Sequence, residues 1–424
     1  MKLKFILNKS TSGESKMKKA VFILYLFAIA GTNLFSQNII DDSLPGVSSG
    51  YVSVEGGKLF YEIAGKGDYI VLLHDGIAHR EVWDGQFKFF AERYKVVRYD
   101  RRGYGKSTFP DASFSHIEDL NQVLIHLKIE KAIIFGISGG GELAIDFALK
   151  YPSKVNSLVL VGAVASGFKS TSHSITRGGR VGSIINLSNE PEKFLQYFVW
   201  EDPYEIYKDN IKAKGKLFHL LKTNPNDVNF KSRTFVKPAD RPAINFLSEI
   251  NIPVLVLVGE YDMPDIHANA GIIEIGIPNA KREIIYNSGH IVPLEQPEAF
   301  NSSALKFLSG IEFFSILNSQ GTAAASQYFQ KRRETEPDVV MFDEGEMNMM
   351  GYGYLQTGKT KDAIEVFKLN TIAYSGSWNV FDSLAEAYMN DGQTELAIKN
   401  YEKSLKLNPK NKNAEDMLKK LKGH

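Results

Sequence analysis

The 424-residue sequence contains no cysteine. This excludes a disulfide framework, cysteine-based zinc sites, a thiol nucleophile and a lipid anchor on an N-terminal cysteine. An excess of charge of one sign is also missing, because 50 Lys and Arg residues oppose 49 Asp and Glu residues and leave a net charge of +1. No whole-chain field therefore favours nucleic acid or an anionic membrane as a partner. Hydrophobic residues make up 43% of the chain, which is enough for a buried core, and the length allows two domains.

The N-terminal segment has the pattern of a secretory signal peptide, which predicts a secreted or periplasmic protein of a bacterium. A positive stretch precedes a short apolar run, in the order Lys16, Lys18, Lys19 and then Ala20 to Ala30. The run is shorter than the about 20 residues of a membrane span, so we predict no stable span after cleavage. We place cleavage after Ser36, with Ala30 as the alternative and Met17 as an alternative start. A short anchor or a buried strand is the competing interpretation.

Strand-like and helix-like patterns alternate from about residue 51 to 310, which predicts an α/β fold with a mostly parallel sheet covered by helices. The sheet is entered through a hairpin at Gly56-Gly57. Short apolar runs predict the buried strands, which are Tyr69–Leu73, Lys95–Tyr99, Ala132–Phe135, Leu158–Val161, Val254–Val258 and Glu283–Tyr286.

No strand pattern occurs between about residues 164 and 249, where helical patterns predict a cap inserted between two strands. This segment is rich in acidic residues, namely Glu190, Glu192, Glu201, Asp202 and Glu205. They form either a patch for a substrate amine or, as we favour, solvated faces of helices.

Two segments of the C-terminal part repeat each other with an offset of 34 residues. Gly358 matches Gly392 and Ala363 matches Ala397, between aromatic residues at both ends of each segment. Gly suits a turn between two helices, and Ala lets the helices approach closely. The period and residues resemble tetratricopeptide repeats, followed by a final helix at about Asn413–Leu421.

The sequence Gly136-Ile-Ser138-Gly-Gly140 has the G-x-S-x-G pattern of a nucleophile elbow, with an apolar strand before it and a helical pattern after it. Such an elbow lifts the serine hydroxyl above the sheet. Glycines flank the serine because the strand and helix pass too closely for side chains. A second copy at residues 46–50, around Ser48, has neither a strand before it nor a helix after it, and we discard it.

A serine nucleophile needs a base, and the base needs an orienting acid. His290 lies in a Gly-His loop directly after the last predicted strand, and Asp262 follows the strand before that. The chain order Ser138, Asp262, His290 is that of a Ser-Asp-His triad on this kind of sheet. Asp265 is the alternative acid.

A tetrahedral intermediate needs hydrogen-bond donors for its oxyanion. The backbone N–H of Gly139 is one predicted donor, and the loop after the first parallel strand supplies the second, which we assign to Ile77. His74, Asp75 and His79 on that loop have an unspecific spacing for a metal, and we predict no metal site.

These motifs together resemble the α/β-hydrolase superfamily, and most of all its capped, carboxylesterase-like members. The resemblance includes His74-Asp-Gly76 with Trp83, the stretch from Tyr99 to Ser107, the elbow, the Asp262 loop, and Ser288-Gly-His290 with Glu295 and Pro297. It covers about residues 50 to 310. Asp75 stands where many relatives have Gly, so the shape of the oxyanion loop departs from the family pattern. Relatives of the dehalogenase and epoxide hydrolase kind use an Asp nucleophile, which Ser138 argues against.

Together the patterns predict a signal peptide over residues 1–36, an α/β-hydrolase domain over 37–310 and a helical repeat domain over 311–424. The predicted triad needs no cofactor for two-step acyl transfer, and we favour a small carboxylic ester as the substrate. The alternatives are amide or aminopeptidase activity, lactone or thioester hydrolysis, C–C bond hydrolysis and perhydrolysis. A non-catalytic platform that presents the repeats to a protein partner is the alternative of another class. We expect the tail to pack on the hydrolase domain or on a partner and to have no part in catalysis.

Overall fold

The computed structural model describes residues 46–187, 191–228, 230–337 and 339–423. The predicted signal peptide lies outside these residues. An eight-stranded sheet forms the centre, with strands β1 Ser48–Val54, β2 Gly57–Gly65, β3 Tyr69–Leu73, β4 Lys95–Tyr99, β5 Ala132–Ile137, β6 Val155–Val161, β7 Val254–Gly259 and β8 Ala280–Ile285. Their order across the sheet is β1-β2-β4-β3-β5-β6-β7-β8.

The sheet is antiparallel at its entry and parallel beyond it. β1 and β2 form the predicted hairpin, β2 pairs antiparallel with β4, and the remaining neighbours are parallel. β5 and β7 are buried along their whole length, as expected of strands covered on both faces. The predicted α/β class with a mostly parallel sheet is therefore confirmed.

Helices cover the sheet, build the insertion and form the C-terminal part. In chain order they are α1 Asp84–Ala91, α2 His116–His126, α3 Gly139–Lys150, α4 Ser172–Leu187, α5 Pro191–Gln196, α6 Ile211–Thr223, α7 Pro264–Gly276, α8 Val292–Glu295, α9 Pro297–Gln320, α10 Thr322–Thr335, α11 Glu344–Gln356, α12 Thr360–Ala373, α13 Trp378–Asn390, α14 Thr394–Leu407 and α15 Lys412–Lys422. Among the described residues, no helix is both long and apolar enough to cross a bilayer.

The insertion between β6 and β7 is the predicted helical cap. Within the described part of residues 164–249 there are helices α4 to α6 and short helical turns but no sheet strand. One isolated bridge joins Phe114 of the core to Val236 of the cap, and the backbone N–H of Lys237 donates to Phe114 O at 2.7 Å. This attachment fixes the later part of the cap over the carboxyl ends of the strands.

The C-terminal part packs on the hydrolase part. Helix α9 runs without a break through residue 310, where we expected a domain boundary, and ends at Gln320. A Cβ added at Gly310 would lie 2.6 Å from Met341 O, so the backbone of the tail touches α9 there. Arg93 also pairs with Glu336 at 2.9 Å. These contacts are those expected of a tail that packs on the hydrolase part.

The repeated segments are two similar helix pairs. α11 and α12 form the first pair, α13 and α14 form the second, and α15 follows. Gly358 and Gly392 both have a positive φ, +75° and +73°, at the turn within each pair. A left-handed turn of this kind favours glycine, which explains why the repeat carries it there.

Candidate active site

Ser138 occupies a strained position between β5 and α3. Its φ of +52° and ψ of −118° lie in a region that residues other than glycine rarely adopt. Two backbone hydrogen bonds hold this conformation, because Ser138 N–H donates to Val161 O at 2.8 Å and Glu142 N–H donates to Ser138 O at 3.0 Å. The serine is therefore presented at the carboxyl edge of the sheet, as in a nucleophile elbow.

The glycines beside Ser138 are required by close backbone approach. A Cβ added at Gly136 would lie 2.4 Å from Gly140 O, and one at Gly140 would lie 2.3 Å from Leu73 O. Both distances are shorter than any van der Waals contact, so no other residue fits without moving the backbone. The spacing in the G-x-S-x-G pattern thus reflects the packing of α3 against β5 and β3.

Asp262 and His290 are hydrogen-bonded to each other. The Nδ1 atom of His290 lies 3.0 Å from Oδ1 and 2.9 Å from Oδ2 of Asp262, and both residues are buried. Since Nδ1 faces the carboxylate, it carries the proton and leaves Nε2 as the acceptor in the neutral ring. An acceptor nitrogen oriented by a buried carboxylate is the arrangement of a general base.

The surroundings of His290 favour its protonated form. Burial lowers the pKa of this imidazole, whereas the charge and hydrogen bond of Asp262 raise it. With smaller contributions from the charges of Glu205 and Asp75, the pKa reaches about 9. The ring therefore binds a proton more tightly than an ordinary histidine does.

Asp265, the alternative acid, points elsewhere. Its carboxylate accepts hydrogen bonds from Thr171 N–H at 3.0 Å and from Thr171 Oγ1 at 2.9 Å. It also lies 3.5 Å from His173 Nδ1. Asp265 thus holds the first turn of cap helix α4 and does not contact His290.

Ser138 and His290 line one cavity of about 690 Å³ between the sheet edge and the cap. The cap residues Phe198, Phe230 and Val236 supply apolar surface there. A cavity of this volume is of the size that holds small molecules.

The loop after β3 departs from our expectation for the oxyanion donors. The N–H groups of Ile77 and Ala78 both donate to Asp75 Oδ1, at 2.5 and 2.6 Å, so the predicted donor Ile77 is already engaged. Gly76 N lies 3.8 Å from the position that a Cβ on Gly139 would take, and its N–H has no partner among the described residues. Gly76 therefore fits the second donor position better than Ile77. The Asp75 side chain causes this, because it folds back onto the two following N–H groups.

The two histidines of that loop have partners in the protein. His74 Nε2 accepts a hydrogen bond from Arg101 N–H at 2.8 Å, which leaves its Nδ1 to donate to Asp75 O at 2.8 Å. His79 Nδ1 lies 2.6 Å from Asp227 Oδ2 of the cap. In the described part of the chain, no group of three or more His, Cys, Asp or Glu side chains is arranged to hold a metal ion.

The acidic residues of the cap do not form a free patch. Arg177 donates to Asp202 at 2.9 Å and to Glu205 at 2.6 Å, so both buried carboxylates are paired. Glu192 and Glu201 are exposed, and Glu190 lies outside the described residues. Glu192 and Glu201 therefore lie on solvated faces, the interpretation we favoured. Asp202 and Glu205 instead belong to a buried ion-pair cluster with Arg177.

Sequence reasoning missed several charged residues of the cavity. Arg101, Arg177 and Arg233 line it, together with Glu142 and Asp146 of α3. Glu142 and Asp146 lie four positions apart and so share one face of α3. This spacing is the feature of the sequence that could have identified them. Burial raises the pKa of both carboxyl groups, that of Asp146 to about 7.

Comparison with known proteins finds two family models. One described as alpha/beta hydrolase fold matches residues 69–203, and one described as tetratricopeptide repeat matches residues 378–411. The two predicted resemblances are therefore confirmed.

Individual relatives match the same fold. A 2-hydroxy-6-oxononadienedioate/2-hydroxy-6-oxononatrienedioate hydrolase of Paraburkholderia phymatum is 30% identical over 282 residues, which are 62% of this chain and 96% of the relative. The solved structure of an enzyme described as degrading N-acyl homoserine lactones is 26% identical, with a TM-score of 0.50, and covers 60% of this chain and 98% of its own. A thermophilic esterase from Thermogutta terrifontis, 23% identical with a TM-score of 0.52, covers 61% of this chain and 96% of its own and supports the fold alone.

Proposed function

Since the chain belongs to the α/β-hydrolase fold family, we propose that it is a serine hydrolase that cleaves a carboxylic ester or a related acyl bond. One observation carries the proposal. Ser138, strained at the carboxyl edge of the sheet, lines the same cavity as His290, whose Nδ1 is held by Asp262. Nucleophile, base and orienting acid are thus present on three different loops of one sheet edge.

In the first step, the Ser138 hydroxyl oxygen attacks the carbonyl carbon while Nε2 of His290 accepts the hydroxyl proton. Asp262 holds the ring tautomer and stabilises the imidazolium that forms. The N–H groups of Gly139 and Gly76 donate to the oxyanion. The intermediate then collapses, the bond to the leaving group breaks, and His290 returns its proton to that group.

In the second step, a water molecule repeats the sequence on the acyl-enzyme. His290 accepts a proton from this water as the water oxygen bonds to the acyl carbon. The bond to Ser138 breaks, the proton passes to the serine oxygen, and the carboxylic product leaves. No redox step occurs, so the chain's own residues suffice for this chemistry.

Hydrolysis of a carbon–carbon bond beside a ketone is the second candidate. The Paraburkholderia relative acts, by its name, on an oxo-dicarboxylate, a compound without an ester or amide bond. The same triad supports amide, lactone and thioester hydrolysis and perhydrolysis. The alternative of another class, a non-catalytic platform, is disfavoured by the strain held at Ser138, because a backbone cost of about 1–3 kcal/mol is retained mainly where it serves function.

We further propose that the enzyme works outside the cytoplasm and that its tail binds a protein partner. The pattern of residues 1–36 supports the first proposal, and the match of residues 378–411 to a repeat family supports the second.

The test of the proposed function is chemical labelling of the serine. A fluorophosphonate probe should label the wild-type protein at Ser138, and Ser138→Ala should abolish both labelling and ester turnover while the circular dichroism spectrum is retained. Ser48→Ala is the matched control, because Ser48 occupies the other G-x-S-x-G sequence, on β1, and should change nothing. Labelling at another residue, or full turnover in Ser138→Ala, would overturn the assignment.

A further inference from the structure

Arg101 is a buried cation of the active-site cavity without an acidic partner. Its side chain is 5% exposed, and the guanidinium donates only to main-chain oxygens, to Asp75 O and, at 3.4 Å, to Gly139 O. Its Nε has no hydrogen-bond partner, and no carboxylate of the described residues forms an ion pair with it. A guanidinium keeps its charge, and burying that charge without a counter-ion costs several kcal/mol, so the position calls for an explanation.

The neighbouring arginine shows what full pairing looks like in this loop. Arg102 donates to both oxygens of Asp119, at 3.0 and 2.6 Å, in a bidentate ion pair away from the cavity. Arg101, one position earlier, lines the cavity instead. Burial, followed by the positive charge of Arg101, lowers the pKa of both His74 and His116, as expected beside a cation that no acid neutralises.

A second guanidinium reaches the same place from the cap. Arg233 Nη2 donates to Gly76 O at 2.5 Å, and the group stacks over the Phe230 ring at 4.3 Å. It forms no ion pair with a carboxylate of the described residues. Lys237 adds a third cation to the cavity wall. Two guanidinium groups thus flank the Asp75-Gly76 peptide, one from the core and one from the cap.

The acids of the cavity do not neutralise these cations. Glu205 is paired with Arg177. Asp75 forms no ion pair with either arginine among the described residues, since its Oδ1 accepts from two backbone N–H groups and its Oδ2 has no hydrogen-bond partner. Asp146 accepts from Ser166 Oγ at 2.7 Å. Glu142 faces the cavity near Arg101 but forms no ion pair with it. The positive charge beside the oxyanion loop is therefore available to a ligand.

We propose that Arg101 and Arg233 bind a carboxylate of the substrate, so that the enzyme prefers acyl compounds that carry a second, anionic carboxyl group. This inference rests on the proposed serine hydrolase function and names its substrate class. A planar guanidinium matches a carboxylate with two parallel hydrogen bonds, and the burial of Arg101 strengthens those that it forms. The substrate carboxylate then supplies the counter-ion that Arg101 lacks in the protein.

The test compares two 4-nitrophenyl esters with the same adipoyl chain, mono-4-nitrophenyl adipate and its methyl ester. The first carries a negative charge on its distal carboxyl group, and the second is neutral. The wild-type enzyme should have the higher kcat/KM for the anionic ester. Arg233→Gln should reduce the ratio of the two kcat/KM values by on the order of tenfold, the effect of one charge-assisted hydrogen bond. Arg101→Gln should do the same, and Glu142→Gln should increase the ratio.

Arg241→Gln is the matched control for the loss of one positive charge from the cap. Arg241 is exposed, pairs with Glu249 at 2.6 Å and stacks on Phe246 outside the cavity. Its replacement should leave the ratio unchanged. Because Arg233 is also exposed, Arg233→Gln should fold even if Arg101→Gln does not.

Three outcomes would overturn the inference. The first is a wild type that prefers the neutral ester, and the second is an Arg233→Gln variant with an unchanged ratio. The third is an Arg101→Gln variant that is slower on both esters by the same factor, which would assign Arg101 to the oxyanion alone. If neither ester is turned over and Ser138 is not labelled, the proposed function fails by itself. The inference is then decided by calorimetric binding of adipate to Ser138→Ala. Binding that Arg233→Gln weakens supports it, whereas absence of binding refutes it.

Discussion

Replacing Asp262 by Asn should separate the orienting acid from every other acid near the site. The change keeps the shape of the side chain but removes its charge and turns one acceptor into a donor. The ring of His290 is then held in the wrong tautomer, with its proton on Nε2. In other triads this change lowers kcat on the order of 10⁴-fold, and we expect the same here.

The structure also gives the size of the accompanying pH effect. His290 has a pKa of about 9 against an ordinary value of 6.5, because the charge and hydrogen bond of Asp262 favour the imidazolium. The base must be neutral to act, so kcat/KM of the wild type should rise with pH and level off above about 9. In Asp262→Asn the residual activity should level off about two pH units lower.

The assay is the pH profile of kcat/KM on a neutral 4-nitrophenyl ester from pH 5 to pH 10, corrected for spontaneous hydrolysis. Asp265→Asn is the control, because Asp265 is an acid three positions later, in the first turn of α7, and contacts Thr171 and His173. It should retain the wild-type profile. A large loss in Asp265→Asn with little loss in Asp262→Asn, or an unchanged profile in Asp262→Asn, would refute the reasoning.

Two further predictions concern packing around the site and the tail. Gly140→Ala should abolish soluble, active protein, because its Cβ would lie 2.3 Å from Leu73 O. Gly215→Ala, in open space on α6, should instead raise the free energy of unfolding by about 0.5–1 kcal/mol. Urea titration checks both variants. Truncation after Gly321 should lower the free energy of unfolding by about 3–6 kcal/mol, since it uncovers Phe313 and Leu317. Turnover of a small ester should be retained, because no described residue of the tail lines the cavity. A folded truncated protein without turnover would contradict this view of the tail.

The strands of the sheet could be predicted closely where they are buried on both faces. The bounds of β3 and β4 match the predicted ones, because each run ends at a polar residue, His74 after β3 and Asp100 after β4. β8 begins at Ala280, three residues before the predicted start, since it lies at the sheet edge and its first half carries exposed charged residues. An edge strand with solvated side chains has no apolar run to detect.

The domain boundary that we predicted at residue 310 falls inside helix α9, and this has a physical reason. The sequence changes character near residue 310, but the helix there continues to Gln320, about three further turns. What changes is the packing partner, because Phe300 and Ala304 face the hydrolase core whereas Phe313 packs in the cluster of the tail. Helix α10 was not predicted, since its only large buried apolar side chain is Phe329, and a polar stretch with so narrow an apolar stripe has no clear period.

The candidate triad could be predicted from the sequence because its placement depends on topology. Ser138, Asp262 and His290 each follow a parallel strand, and the carboxyl ends of parallel strands meet at one edge of the sheet. The oxyanion donors could not be located in this way. Their identity depends on the conformation of one side chain, that of Asp75, which takes up the N–H group of Ile77 and leaves that of Gly76 free in the described structure.

The charged residues that line the cavity come from two parts of the chain, because Arg101 belongs to the core and Arg233 to the cap. Arg233 and Phe230 belong to the cap, and they reach the oxyanion loop only because the backbone of residues 235–237 is hydrogen-bonded to Phe114 of the core. Such a contact joins positions more than one hundred residues apart and leaves no periodic signal in either segment. The cap can therefore change its charged residues, and with them the substrate, without altering the strained turn at Ser138. A fold that keeps its elbow while its cap varies is compatible with relatives described as acting on different compounds, an oxo-dicarboxylate and an N-acyl homoserine lactone.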